Sequence, residues 1–232
     1  MQFETGIQYL DSGLKSALRG MRIESTYVGL TSENVMGFDK VGYQRKEIVN
    51  SSFAQFMGAD ALSTVVDDRV GRLVATSHPL DFALAQKGYF QIKGSEGIKM
   101  TRDGRFKLDK EGNLLSLDGE KVLSNVGTPI KLSIIPENIK DIKVNADGVI
   151  TVLDSANNKM VKVATLGVVN ADGLLVMHPE VKQGYNEHSN VSLQDEFMGM
   201  MGPLRNYDAN RQMFMIENSV LSKTISQLGA TS

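Results

Sequence analysis

The chain contains no cysteine and no tryptophan, and only five of its 232 residues are proline. Without cysteine, neither disulfides nor thiolate-bound metals can hold a fold together, and the chain is indifferent to the redox state of its compartment. A charge excess is missing too. Lys and Arg number 25 against 27 Asp and Glu, a net of -2, which excludes an electrostatic grip on a nucleic-acid backbone or an anionic membrane. No stretch approaches the roughly 18–20 consecutive apolar residues that span a bilayer. The most apolar segment, Val161 to Val169, is broken by Lys162 and Gly167. The opening residues, MQFETGIQYLDSG, carry Glu4 and Asp11 where a secretory signal has a basic start and an apolar run, so a cleaved signal is not expected.

Convergent chemistry is missing as well. His78, His178 and His188 are far apart, and none has a second ligand at helical or hairpin spacing, so no metal site is expected. The Asp-Gly turns imitate calcium loops only superficially: with Gly112 or Gly148 as the invariant glycine, Lys107 or Lys143 falls at the first ligand position. There is no G-x-S-x-G elbow, no Walker loop and no dinucleotide fingerprint, and the adjacent pair Asp67-Asp68 reads as a solvated segment. These absences lead to an expectation of no catalytic residues, no cofactor and no enzyme.

What is present is architecture. A hydrophobic content of 41% supports a packed core. Near the N-terminus, Ile7, Leu10, Leu14, Ala17, Met21, Val28 and Val35 recur at steps of three and four, with Glu24 and Thr31 as polar interruptions, which is a heptad seam on a helix. Near the C-terminus the same steps give Phe197, Met200, Leu204, Tyr207, Arg211, Phe214, Asn218, Leu221, Ile225 and Leu228. Ser192 with Asp195 reads as a capping box opening this helix, and Gly229 stands where a helix commonly stops. Pro203 either kinks the helix or lies in its first turn. Residues 7–34 and 193–228 would span about 42 and 54 Å. Two readings follow: amphipathic helices covering a β core, or terminal helices that meet each other and neighbouring subunits in a coiled bundle. In the second, Ile7, Leu10, Leu14, Met21, Val28, Phe197, Met200, Leu204, Tyr207, Phe214, Leu221, Ile225 and Leu228 are subunit-interface seams.

Between the helices the pattern changes to period two with frequent turns. Asp103-Gly104, Asp118-Gly119, Asp147-Gly148 and Asp172-Gly173 punctuate runs such as YFQIK, RFKLD and GVITVL. The expected fold class is α+β: long N- and C-terminal helices pairing as a coiled-coil-like bundle, with an inserted β-rich middle domain. The expected divisions are a helix over 1–36, an extended connector over 37–69, the β-rich domain over 70–187 and a helix over 188–232.

Residues 78–123, beginning HPLDFALAQKGYFQIK and running through TRDGRF to GEKVL, closely resemble the central signature of the flagellar basal-body rod and hook protein family. The positions that carry the resemblance are Pro79, Leu80, Asp81, Gly88, Phe90, Thr101, Arg102, Gly104 and Phe106. A second segment, QGYNEHSNV, is similar to the family's approach to its C-terminal helix, with Ser189, Asn190 and Val191 in place and Arg205 and Tyr207 at the Arg-x-Tyr positions beyond it. Leu204 replaces the usual Gln, and Pro203 is atypical. Residues 32–47 resemble the family's N-terminal motif in degenerate form, through Asn34 and Gly42-Tyr43.

The resemblance implies a structural subunit exported without a cleaved signal through the flagellar type III apparatus. It implies a homo-oligomer in a helical tube, in contact with other rod and hook proteins, located in the periplasm-spanning basal-body rod, with no membrane insertion. The short chain fits a rod subunit better than a hook protein. The alternatives are a hook-like or rod-paralogue scaffold or adaptor, and a self-contained β-rich binding module.

Overall fold

The computed structural model describes residues 2–50, 62–136, 138–154 and 157–229, with side chains from Ser12 onward in the first helix and up to Gln227 in the last. It is an α+β chain with a long helix at each end and a β-rich middle. Two compact units divide it: Met1–Met36, Lys46–Asp67 and Ser192–Ser232 form the first, and Gly37–Arg45 with Asp68–Val191 form the second.

The first unit holds α1 (Gln2–Gly37) and α2 (Leu193–Gly229), of 36 and 37 residues, each about 55 Å long at 1.5 Å per residue. Helix α2 opens where its capping residues stand: the Ser192 hydroxyl accepts the Asp195 N–H at 3.4 Å, and Asp195 and Glu196 place negative charge against the positive end of the helix dipole. The helix is already formed at Leu193, so Pro203 lies inside it and not in its first turn.

The two helices run antiparallel in a constant register. The backbone of Gly13 lies against Glu217 and that of Gly20 against Asn210, Glu24 meets Asn206, and Asn34 meets Glu196. Each step of seven, four or ten residues up α1 is matched by an equal step down α2. Strands β1 (Lys46–Asn50) and β2 (Leu62–Val66) complete this unit as an antiparallel hairpin, pairing Lys46 with Val66 through Asn50 with Leu62. These two strands lie within the stretch expected to be an extended connector.

Among its described residues the second unit contains thirteen short strands: β3 (Leu73–Ala75), β4 (Phe82–Leu84), β5 (Tyr89–Gly94), β6 (Gly97–Thr101), β7 (Phe106–Leu108), β8 (Leu114–Ser116), β9 (Lys121–Val122), β10 (Ile142–Val144), β11 (Val149–Asp154), β12 (Lys159–Thr165), β13 (Val168–Val169), β14 (Val181–Gln183) and β15 (Tyr185–Glu187). The largest sheet runs β13-β5-β9-β8-β7, with β6 on the other edge of β5; β10-β11-β12 is a second sheet, and β4 pairs β14 while β3 pairs β15. Every strand pair is antiparallel, so tight turns suffice as connections. Gly94 and Gly97 pair across Ser95-Glu96, closing the β5–β6 hairpin.

The core of this unit follows from alternation. Tyr89–Gly94 buries Phe90 and Ile92, and Val149–Asp154 buries Ile150 and Val152. Phe106 packs edge-on against Phe90 with ring centres 5.4 Å apart and tilted against Phe82 at 5.9 Å. Burying each such ring is worth roughly 1.5–3 kcal/mol. Asp103-Gly104 is not a hairpin turn, since β6 pairs only with β5 and β7 only with β8. Gly104 is required for space instead: a Cβ there would overlap the Phe82 carbonyl oxygen.

Candidate functional site

Within the β unit, the signature residues converge on one buried ion pair. Arg102, just after β6, donates from Nε to Glu187 Oε2 at 2.7 Å, with its terminal nitrogen 2.6 Å from the same oxygen; Glu187 ends β15. The side chains are only 1% and 3% exposed. The remaining guanidinium donors reach the carbonyls of Gln86 at 2.9 Å, Gly88 at 2.6 Å and Leu84 at 3.3 Å. The other Glu187 oxygen accepts the Gly71 N–H at 2.9 Å, and its backbone carbonyl accepts the Gly42 N–H at 2.8 Å. A planar fork with five N–H donors is the side chain that can join three carbonyls and a carboxylate. Gly88, at φ +150°, lies where a side chain would be strained.

The other motif residues serve the same framework. Leu80, Phe90 and Phe106 are buried core, Asp81 is nearly buried with His78 3.6 Å away, Pro79 lends its carbonyl to Gln183, and the Thr101 hydroxyl accepts the Asp103 N–H. Asn190 accepts the Arg45 N–H at 2.7 Å and donates to the Arg69 carbonyl at 3.0 Å, while Ser189 accepts the N–H of buried Val191. Glu187 is the residue that the sequence reading did not single out. Its signal was its place in the QGYNEHSNV motif, because a carboxylate so near a buried core needs a cation.

No such convergence has the form of a catalytic centre. His178 pairs with Asp147 at 2.9 Å on the surface, and among the described residues no group of three or more His, Asp or Glu is placed to hold a metal ion. Among the same residues, no helix is long and apolar enough to cross a membrane.

In the helical unit, the expected seam of α1 lies on its covered side: Ala17 is buried, and Leu14, Met21 and Val28 are partly buried. The expected seam of α2 splits. Met200, Phe214 and Leu221 are partly buried, whereas Phe197, Leu204, Tyr207 and Ile225 are exposed, Phe197 at 56% and Ile225 at 61%. Arg205 is exposed as well. Side chains of Ile7, Leu10 and Leu228 lie outside the described ones. Polar residues of α2 also meet α1, namely Glu196, Asn206, Asn210 and Glu217. Met198, Met201, Met215 and Ile216 are also exposed, so α2 shows solvent far more apolar surface than a lone helix needs.

Comparison with known proteins gives these features a setting. Residues 83–152 match the flagellar hook protein FlgE/F/G D1 domain, and residues 182–228 match the flagellar basal body rod FlgEFG protein C-terminal domain. The chain is 25% identical to the flagellar basal-body rod protein FlgG of Bacillus subtilis, over 91% of this chain and 97% of that one. It is 27% identical to the flagellar basal-body rod protein FlgF of Rhizobium meliloti, over 96% of this chain and 100% of that one.

Proposed function

The chain belongs to the flagellar basal-body rod protein family, and from that premise we propose that it is a structural subunit of the bacterial flagellar rod, assembling helically with copies of itself and with other rod and hook proteins. In this reading the rod is a drive shaft that carries motor torque to the hook, and the subunit does mechanical work without turning over a substrate. Its location is the basal body, reached through the flagellar type III apparatus.

The observation that carries the reading is the outward apolar row of α2, Phe197, Met201, Leu204 and Ile225, in a chain nearly coextensive with rod proteins. Exposed apolar surface on this scale is removed from water by a neighbour. The coiled bundle expected from the seams is then completed between subunits: α1 and α2 meet through a mixed face that includes Gly13, Gly20, Glu217 and Asn210, and the apolar row is left for other chains. The β unit, stiffened by the Arg102–Glu187 network, stands as the rigid body between contacts.

The test is quantitative mass spectrometry of hook–basal bodies purified from the source cell. The expected result is recovery in many copies together with rod and ring proteins. Absence from intact basal bodies of motile cells would overturn the rod assignment.

A further inference from the structure

An apolar heptad seam repeats every seven residues, so by itself it tolerates a slip of one heptad between two helices. The column of α1 that faces α2 changes character along its length. It reads Gly13, Gly20, Tyr27, Asn34, and the register sets it against Glu217, Asn210, Pro203 and Glu196. A Cβ at position 13 would overlap the Glu217 carboxylate, and one at position 20 would overlap the Asn210 amide, so both side chains occupy the room that the glycines leave. The Glu217 Oε2 atom is buried there with no hydrogen-bond partner. That is a poor choice for stability and an informative one for alignment.

We propose that this column is a register lock, in which Glu217 and Asn210 seat over Gly13 and Gly20 while Asn34 meets Glu196 and Tyr27 stands opposite Pro203, and that the four steps together commit the antiparallel pair to one alignment. Slipping α2 by one heptad in one direction brings Asn210 against Tyr27. Slipping it in the other lets Asn210 and Glu217 meet Gly13 and Gly6, but brings Glu196 against Tyr27 and takes it from Asn34. Both errors put a polar side chain against the ring of Tyr27, and only the observed register gives that ring the side chain of Pro203 as its opposite number. The proline that departs from the family pattern is thereby given a place. The lock concerns the single chain and stands apart from the rod reading; its consequence is that the outward row of α2 is held at a defined height.

Because the chain has no cysteine, disulfide trapping reads the register directly. Glu24→Cys with Asn206→Cys reports the observed alignment, and Glu24→Cys with Gly199→Cys or with Met213→Cys reports the two slipped ones. In the otherwise natural chain the first pair is expected to dominate. In the background Gly13→Leu with Gly20→Leu, that preference is expected to be lost. Should the leucine variant form no cross-link in any pair, the background Tyr27→Ala with Glu196→Ala decides, since it removes the opposed side chains that set the observed register apart from the slipped ones. An unchanged preference for the first pair in the deciding background would overturn the lock.

Discussion

Asn34 and Glu196, 162 residues apart in the chain, meet at 3.2 Å with both side chains buried. The same Asn34 amide takes the Lys46 carbonyl at 2.9 Å and the Lys46 N–H at 2.9 Å, so a single side chain joins α1, β1 and α2. An amide is the group that can donate to a carboxylate and a carbonyl while accepting an N–H.

Replacing it is therefore expected to be costly. Asn34→Ala orphans buried donors and acceptors at about 1–3 kcal/mol each, and Asn34→Asp adds a second carboxylate beside Glu196. Hydrogen exchange should show faster exchange in β1 and in the first turns of α2 for both variants, with Asp the worse. Wild-type protection in β1 for Asn34→Asp would contradict this arrangement.

For the Arg102–Glu187 pair, removing one member strands the other. Arg102→Ala is expected to lose about 3–5 kcal/mol, read from the denaturant midpoint of the β unit. Arg102→Lys should recover little, because a single ammonium cannot reach both the carboxylate and three carbonyls. A loss below about 1 kcal/mol in the alanine variant would rule out the network as the unit's keystone.

Two glycines predict opposite signs for the same substitution. At Gly104 a methyl group meets the Phe82 carbonyl and the Phe90 ring, neither of which can yield, and Gly104→Ala should cost about 1–3 kcal/mol. At Gly199, inside α2, an added Cβ finds nothing within 4 Å. Gly199→Ala should therefore raise helix stability by about 1 kcal/mol. Thermal melting of the two variants checks both.

The outward row of α2 should matter to association and not to folding. Phe197→Glu and Leu204→Glu are expected to leave the melting of the monomer within about 0.5 kcal/mol of the natural chain, while lowering self-association in sedimentation velocity across a concentration series. Undiminished association in the double variant would remove this face from the assembly.

Asp109 sets the acid side of one turn. Its carboxylate accepts the N–H groups of Glu111 and Asn113 and the Asn113 side-chain amide at 2.7 Å. The Asn113 side-chain bond is the largest cause that holds its pKa below the ordinary carboxyl value of 3.8. A depressed folded pKa means that the stabilisation is complete above about 3.8 and is lost as pH falls through the lower, folded value. Amide shifts of Glu111 and Asn113 in NMR should titrate below that range, and Asp109→Asn should abolish the titration.

Much of this was legible in the residues. The steps of three and four announced both long helices, Ser192 and Asp195 marked where α2 starts, and the alternation of YFQIK and GVITVL identified which side chains are core. Which face of α2 meets α1 was not legible. Periodicity marks the apolar stripe, and the face turned to the partner helix here is mixed, because glycines in α1 leave room for the polar Glu217 and Asn210 beside the partly buried Met200, Phe214 and Leu221. The hairpin of β1 and β2 was also hidden, since two five-residue strands separated by eleven residues carry no tight-turn signature. Gly104 read as a turn residue because Asp-Gly usually is one, whereas the reason for this glycine is a carbonyl brought against it by β4.

The antiparallel register also imposes an order in time. Gly13 finds its partner only at Glu217, so a chain that emerges from one end leaves α1 unpaired until almost everything else has followed. At synthesis rates of about 5–20 residues per second the delay is roughly 10–40 s. The β unit, which runs to Val191, emerges before Glu217 does, so closing the helix pair over Gly13 follows it.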